Sequence, residues 1–267
     1  MSLLDSLPPK RIYDLAEPLN EQTPRSPTHP PFSLALLRRH GDSVSSDGMS
    51  SSADVMHLGG HTGTHVDALA HVSVYGRLHG GADAGDAMRG GRFRTHGVDT
   101  IAPFFGRGVL LDVPRALGVD ALAPGQRITG SDLEAVATVE RVAIGEGDAV
   151  LVRTGRPLGR FADMDSTEAV EAGVPGLDES AARWLAGKRV VVTGSDTIAY
   201  EWLAPGAGFS HLPVHVILLY ESAIHIIEVM NLEELAADTV HEFLFVAAPL
   251  KISGGTGSPI RPLAVVG

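Results

Sequence analysis

The chain has 267 residues, of which 44% are hydrophobic and 20% are charged, a normal composition for a globular protein. Its formal net charge of −11 disfavours binding to the phosphate backbone of nucleic acids, and we find no Lys/Arg cluster that forms a basic stripe. Cysteine is absent, which excludes disulfides, thiolate metal sites and a cysteine nucleophile. Any transition-metal site must therefore be built from His, Asp and Glu, which suit ions such as zinc or manganese.

The first half of the chain contains long segments without regular secondary-structure signals. Residues 1–16 carry charges and lack a continuous apolar region, so we expect no signal peptide, no membrane contact and a cytoplasmic location. Five prolines within 17–32 predict an extended arm. Segments 41–54 and 76–91 are rich in glycine or small polar residues and are predicted to be loops. Neither has the composition of a long linker, so we expect a single domain over residues 1–267.

Strand and helix signals alternate in the second half. Ser131 and Glu134 fit a capping box for a helix over 131–138, and Asp178 can cap a helix that runs through Leu185. Strands are predicted at 109–113, 148–152, 189–193 and 243–248, a short helix at 233–237, and further apolar runs at 214–220 and 224–229. Short buried strands mixed with helices predict a layered α/β or α+β fold.

The densest group of polar residues is the segment His61-Thr-Gly-Thr-His65-Val-Asp67-Ala-Leu-Ala-His71. In a strand, His61, Gly63, His65 and Asp67 would share one face, because side chains alternate. A flat strand would hold His61 and His65 about 13 Å apart, which is too far for one ion. We therefore expect the backbone to bend at Gly63, with helical character after Asp67.

This residue set fits a catalytic metal centre. Two neutral imidazoles and one carboxylate leave a divalent ion with open positions for water and substrate. Such an ion lowers the pKa of water and polarises a carbonyl group. His71 lies one turn beyond Asp67, where it can exchange protons without binding the metal. A strand end with several surface histidines is the alternative that spacing alone leaves open.

The same segment resembles the His-x-Gly-Thr-His-x-Asp-x-x-x-His signature of the cyclase family of metal-dependent hydrolases, which includes bacterial kynurenine formamidases and isatin hydrolases. Further blocks that resemble this family lie at 11–19, 147–155, 193–197, 215–219 and 224–232. The resemblance implies an α/β fold of the swivelling β/β/α type. It also implies a homodimer or a larger homo-oligomer.

The resemblance further implies a role for each residue of the signature. By position, His61, His65 and Asp67 match the metal ligands of the family, and His71 matches its catalytic acid or base. His215 matches a residue that, with a downstream glutamate, completes a second metal site in formamidases or forms a proton-relay or substrate-binding pair in isatin hydrolases.

That glutamate is Glu228, so the resemblance leaves one or two metals open. Formamidases usually read Asp-x-Pro-x-His, whereas this chain reads Asp67-Ala-Leu-Ala-His71. The missing proline and the longer chain resemble the isatin hydrolase and lactamase branch. We therefore favour one catalytic metal, with His215 and Glu228 assisting proton transfer.

Five other residues are candidates for substrate binding. The aromatic side chains of Phe32, Trp202 and Phe209 could form an apolar wall, although aromatic residues more often belong to the core. His79 and His211 could reach a substrate, although a loop surface explains both positions equally simply.

The sequence predicts metal-dependent hydrolysis of a C–N bond in a small amide, either a cyclic amide such as isatin or a lactam, or a formamide. A lactone or ester hydrolase at the same site is the second hypothesis, because the same carbonyl chemistry serves both. A non-catalytic metal-binding or small-ligand-binding protein is the third. The presence of His71 beside three potential ligands argues against this last hypothesis.

Overall fold

The computed structural model describes residues 8–26, 28–155, 168 and 171–267. Residues 1–7, Pro27, 156–167 and 169–170 lie outside the described residues. Of these, Pro27 belongs to the predicted arm. The described residues between 17 and 32 form neither helix nor strand. A search of the described helices finds none with the length and hydrophobicity needed to cross a membrane.

Fifteen strands are defined within the described residues. They are β1 (Arg11–Asp14), β2 (Ser33–Arg38), β3 (Ala53–His57), β4 (His65–Asp67), β5 (Met88–Arg89), β6 (Arg92–Phe93), β7 (Phe104–Asp112), β8 (Arg127–Ile128), β9 (Ala149–Arg153), β10 (Gly176–Leu177), β11 (Val192–Ser195), β12 (His225–Glu228), β13 (Glu242–Ala247), β14 (Gly257–Pro259) and β15 (Leu263–Val266). Nine of them form one sheet in the order β1-β15-β13-β7-β9-β11-β12-β4-β14. The pairs β2-β3, β5-β6 and β8-β10 are separate two-stranded sheets.

The described helices are short and lie between these strands. They are α1 (Ala84–Ala87), α2 (Val113–Leu117), α3 (Gly130–Glu140), α4 (Glu179–Lys188), α5 (Pro213–His215) and α6 (Glu233–Ala237). Three 3₁₀ turns cover Leu69–His71, His79–Gly81 and Val98–Thr100, and a π-helical segment covers Val216–Glu221.

The centre of the large sheet is parallel and buried on both faces. Strands β7, β9, β11 and β12 run parallel to one another, with antiparallel strands on either side. In β7, Val109 and Leu111 pack in one core with Leu133 and Leu185 of helices α3 and α4. Leu110 between them packs in a second core with Phe245. The unbroken apolar runs of the sequence therefore reflect a sheet whose two faces are both covered.

Helix α3 begins one residue earlier than predicted. Thr129 accepts a hydrogen bond from the backbone N–H of Asp132, whose carboxylate accepts from the backbone N–H of Thr129. The predicted capping box of Ser131 and Glu134 is therefore wrong, because Ser131 already lies inside the first turn. The carboxylate of Glu134 instead accepts a hydrogen bond of 2.6 Å from Trp184 Nε1.

Other boundaries differ where the backbone turns sharply. Asp178 caps helix α4 as predicted, with its carboxylate accepting from two backbone N–H groups. The strand predicted at 189–193 begins only at Val192, because Arg189 ends α4 in the left-handed region at φ 57°. The apolar run 214–220 is helical, whereas the run at 224–229 contains strand β12. The helix predicted at 233–237 is confirmed as α6.

The two predicted loops are partly structured. Segment 41–54 lies mostly in the connection between β2 and β3, as predicted, with its last two residues in β3. Segment 76–91 contains a 3₁₀ turn, α1 and β5, so the loop prediction is wrong there. The glycines that suggested a loop belong in part to a hairpin. Gly90 and Gly91, both at positive φ, form the tight turn between β5 and β6.

Candidate metal centre

The histidine segment reaches the middle of the protein through the short inner strand β4. This strand lies between β12 and β14 and pairs antiparallel with both. In this register, His65 lies opposite Glu228, and Asp67 lies opposite Ile226. The side chains of His65, Asp67 and Glu228 are all buried. The sheet therefore brings a glutamate from a distant part of the sequence next to the histidine segment.

The predicted bend at Gly63 is confirmed. Gly63 adopts φ 61°, and a Cβ atom there would lie 2.7 Å from the Leu19 side chain. The bend returns His61 towards the strand, so that His61 Nδ1 lies 2.7 Å from Asp67 Oδ1. The ring centroids of His61 and His65 are 5.2 Å apart. Glycine is needed here both for the backbone conformation and for the available space.

Two groups of potential ligand atoms share the carboxylate of Asp67, and the atoms within each group lie within 4.8 Å of one another. The groups are His61, Asp67 and His71, and Asp67, His215 and Glu228. His65 belongs to neither group, but its Nε2 atom lies 3.6 Å from Asp67 Oδ1 and 3.6 Å from Glu228 Oε2. All the predicted metal ligands and proton-transfer residues are therefore brought together.

The donor set fits a divalent cation. Burial lowers the pKa of His65 to about 4 and the pKa of His71 to about 3, so both imidazoles are neutral near pH 7 and keep a lone pair. Burial alone would raise the pKa of Asp67, but the neighbouring imidazoles of His71 and His61 hold it well below its usual range. Neutral nitrogens beside an ionised oxygen are the ligands that zinc and manganese accept.

His215 lies between two carboxylates. Its Nδ1 atom is 2.6 Å from Glu201 Oε1, and its Nε2 atom is 3.3 Å from Glu228 Oε1. Burial acts to lower the pKa of His215, but hydrogen bonds with Glu201 and Glu228 outweigh it and raise the pKa to about 10. Burial raises the pKa of Glu228 to about 7. In this arrangement a proton is shared within the group formed by His215 and its two carboxylates.

Glu201 is a site residue that the sequence analysis missed. It is buried, and its carboxylate also accepts hydrogen bonds of 3.2 and 3.1 Å from the backbone N–H groups of Val214 and His215. The available signal was an acidic residue in the otherwise apolar stretch from Ala199 to Leu203. Glu201 fixes both the start of α5 and the ring of His215.

Other missed contacts surround His61. Thr256 Oγ1 lies 3.0 Å from His61 Nε2, and His29 Nδ1 lies 3.3 Å from the carbonyl oxygen of His61. Gly257 lies against the His61 ring, where an added Cβ would come within 2.6 Å. The ring of His61 is therefore enclosed by the proline-rich segment on one side and by a C-terminal loop on the other.

The predicted substrate-binding residues fall in different places. Trp202 and His211 line one cavity of about 310 Å³, which also reaches Glu201. Phe209 packs against a small buried apolar cluster. His79 Nδ1 lies 2.7 Å from the carbonyl oxygen of Tyr220, so its ring is tied to the backbone. Phe32 is buried. Substrate contact by these five residues stays a prediction.

Comparison with known proteins agrees with this geometry. The sequence profile of the Cyclase family matches residues 13–202. The isatin hydrolase of Roseibium aggregatum is 30% identical over 224 residues, covering 83% of this chain and 77% of that protein.

Two solved structures are also similar. The crystal structure of a novel cyclase has a TM-score of 0.85 and 28% identity, covering 96% of this chain and 86% of that one. Isatin hydrolase A from Ralstonia solanacearum has a TM-score of 0.71 and 26% identity, covering 96% of this chain and 92% of that one.

The fold, the buried ligand groups and these similarities define an enzyme of the metal-dependent hydrolase class. The chain belongs to the cyclase family. The α/β fold predicted from the sequence resemblance is confirmed.

Glu201 gives a prediction about the orientation of His215. Glu201→Gln replaces the carboxylate at His215 Nδ1 by an amide of the same size, so we expect a roughly 10- to 100-fold loss of turnover and a smaller change of metal affinity, because His215 is not assigned as a ligand. Glu201→Asp should recover part of that loss. Isothermal titration with zinc or manganese and steady-state kinetics measure both effects.

The matched control is Glu179→Gln, because Glu179 lines the same cavity as Glu201 but is exposed. This control should behave as wild type. A folded Glu201→Gln protein with unchanged metal affinity and turnover would contradict the role assigned to Glu201.

Proposed function

We propose that this protein hydrolyses the amide C–N bond of small cyclic amides of the isatin type at a zinc or manganese centre. The observation that carries the proposal is the group of His61, Asp67 and His71, with His61 and Asp67 buried and His71 half-buried, whose ligand atoms lie within 4.8 Å of one another. The similarity to isatin hydrolases supports the substrate class. The structure of an isatin hydrolase bound to the product analogue thioisatinate, 26% identical to this chain, supports it further.

We assign the metal to His61, His65 and Asp67. A bound divalent ion supplies polarisation of the substrate carbonyl and a lower pKa for water. The protein contributes the geometry: the bend at Gly63 and the short strand β4 hold the three side chains within a buried space. Burial also excludes bulk water, which strengthens the interaction of charges with the reacting carbonyl.

His71 is assigned to proton transfer. Its ring centroid lies 4.2 Å from that of His61, and burial keeps its imidazole neutral. A neutral imidazole can accept the proton of the attacking water and then donate it to the leaving nitrogen. The products of a cyclic amide are then a carboxylate and an amine on the same molecule.

His215 and Glu228 assist this proton transfer in a site that holds one catalytic metal. His215 Nε2 and Glu228 Oε1 are 3.3 Å apart, and Glu201 holds the opposite nitrogen of His215. A protonated His215 neutralises the buried Glu228 and cannot bind a metal ion at the same time. The imidazolium of His215 therefore compensates the charge of Glu228, so the site does not require a second metal ion.

The substrate class is tested with the metal-loaded enzyme on isatin, a simple lactam, a formamide and a lactone. We expect the highest kcat/KM for isatin or a related cyclic amide. A lactone hydrolysed more efficiently than every amide would replace the proposal with an esterase. Absence of turnover on all four substrates, with metal bound, would favour a binding protein.

Substitution separates metal binding from proton transfer. His65→Ala and Asp67→Ala should each abolish tight metal binding, because two remaining ligands form a weak site. His71→Ala should keep the metal and lose about 10²- to 10⁴-fold in turnover, the usual contribution of general acid–base catalysis. Elemental analysis and steady-state kinetics on the same preparations give both readouts. Full metal occupancy in the first two variants would rule out the assigned ligands.

Glu228→Gln tests the number of metal ions. With one metal, wild type and Glu228→Gln should both hold about one ion per chain, and the variant should lose turnover through impaired proton transfer. Elemental analysis after gel filtration measures the stoichiometry. Two ions in wild type and one in Glu228→Gln would establish the paired-metal alternative instead.

We also propose that the protein is a homodimer in which the β2-β3 hairpin meets the second copy. The hairpin exposes Leu34, Leu36, Leu37, Val55 and Met56, and Leu37 is 71% exposed. An isolated two-stranded hairpin is at best marginally stable in water, so a covering partner is expected. A cytoplasmic location stays a prediction of the sequence.

The hairpin proposal predicts a change of mass in solution. Leu34 and Met56 are cross-strand partners, so Leu34→Ser/Met56→Ser removes apolar surface from one face of the hairpin. Light scattering should show a dimer for wild type and a monomer, or a much weaker dimer, for the double variant. Val139→Ser, at an exposed position on α3, should remain dimeric. A wild-type protein that is monomeric at high concentration would contradict the proposal.

A further inference from the structure

A second polar cavity lies on the β5-β6 hairpin. It has a volume of about 400 Å³ and is lined by Arg89, Arg92, Arg94, Asp99 and Ser253, among others. None of the residues assigned to the metal centre lines it. The sequence shows no Lys/Arg cluster that forms a basic stripe, but the Gly90-Gly91 turn brings these three arginines to one cavity.

The pairing register forces two of these positive charges to face each other. Arg89 and Arg92 are direct cross-strand partners on either side of the Gly90-Gly91 turn. Like charges directly opposite in an antiparallel pair destabilise it. Arg94, two residues beyond Arg92, lines the same cavity and adds a third charge.

The carboxylate of Asp99 lines the same cavity but forms no ion pair with the three arginines. Within the described part of the chain, no other carboxylate oxygen lies within 4 Å of a guanidinium nitrogen of Arg89, Arg92 or Arg94 either. Some other arginines lie close to acidic partners, as in the 2.8 Å pair of Arg153 and Asp112. The three arginines of this cavity have no such partner and are exposed, so solvent and salt screen part of their mutual repulsion.

The opposite wall of the cavity is fixed by hydrogen bonds. The backbone N–H of Phe93 donates to the carbonyl oxygen of Gly254, and the backbone N–H of Gly254 donates to Asp99 Oδ1. A Cβ on Gly254 would lie 2.5 Å from the carbonyl oxygen of Phe93, so this loop packs tightly on the hairpin. Ser253 is therefore held beside the arginines, and one oxygen of Asp99 is already occupied.

We propose that this cavity binds a phosphate group, carried by a small phosphorylated molecule or present as inorganic phosphate. Guanidinium groups offer paired N–H donors that match the oxygens of a phosphate, and a dianion between Arg89 and Arg92 converts their repulsion into attraction. The hydroxyl of Ser253 is a further donor. The cavity exceeds the size of bare phosphate, which favours a phosphate ester.

Inorganic phosphate is the probe for the test, titrated by calorimetry into the metal-loaded protein at constant ionic strength. Saturable binding is expected, and Arg89→Gln and Arg92→Gln should each weaken it about tenfold, the typical effect of losing one charged hydrogen-bond donor. The matched control Arg141→Gln alters an exposed arginine outside this cavity and should bind as wild type. A small phosphate monoester that binds tighter than phosphate would identify the phosphorylated molecule as the ligand.

Thermal unfolding provides a second readout that does not depend on catalysis. Without phosphate at low salt, Arg92→Gln should unfold at the same or a higher temperature than wild type, because a repulsion is removed. Phosphate should raise the unfolding temperature of wild type more than that of the variant. No saturation, or equal binding by all variants, would mean an adventitious ion only. Competition between phosphate and substrate, unaffected by the arginine variants, would place the phosphate at the metal centre and overturn the proposal.

Discussion

The buried carboxylate of Asp67 is the constraint on which the rest of the site depends. An ionised carboxylate inside a protein costs several kcal/mol unless cations or hydrogen-bond donors surround it. Here His61 Nδ1 lies 2.7 Å away, and the Nε2 atoms of His65 and His215 each lie 3.6 Å away. A divalent ion bound among these groups would compensate the buried negative charge of Asp67, and the carboxylate would serve as a ligand of the catalytic ion. The imidazoles, kept neutral or paired by their own surroundings, supply the remaining ligands and proton carriers.

The fold supplies this arrangement through a small number of long-range contacts. Strand β4 is only three residues long, yet its pairing with β12 places Glu228 opposite His65. Glu201 binds both the ring of His215 and the backbone that begins α5, so one side chain fixes the position and the orientation of the imidazole. The parallel strands β7, β9 and β11 behind these elements carry none of the residues assigned to the site. Their two-sided burial makes the frame rigid enough to hold the polar groups in place.

The sequence correctly predicted features of the structure that depend only on residues close together along the chain. The bend at Gly63, the cap at Asp178 and helix α6 each depend on a few adjacent residues. The sequence predicted Ser131 as the cap of α3, but the structure has Thr129 there. Both residues are suitable caps, and sequence preference alone cannot choose between two such close positions. Glu201 was missed for a different reason. Its contact with His215 spans 14 residues, and the local signal, an acidic residue within the apolar stretch from Ala199 to Leu203, does not show which residue it contacts.

The central claim is that a metal ion lies beside Asp67 and is bound by the histidines of the same segment. Anomalous X-ray diffraction at the zinc and manganese edges, on crystals of protein purified without added metal, tests it most directly. The account predicts one strong peak about 2.0 to 2.3 Å from a carboxylate oxygen of Asp67 and from nitrogens of His61 and His65. An active protein with no anomalous peak at these residues, or with its peak at another group of side chains, would contradict the account.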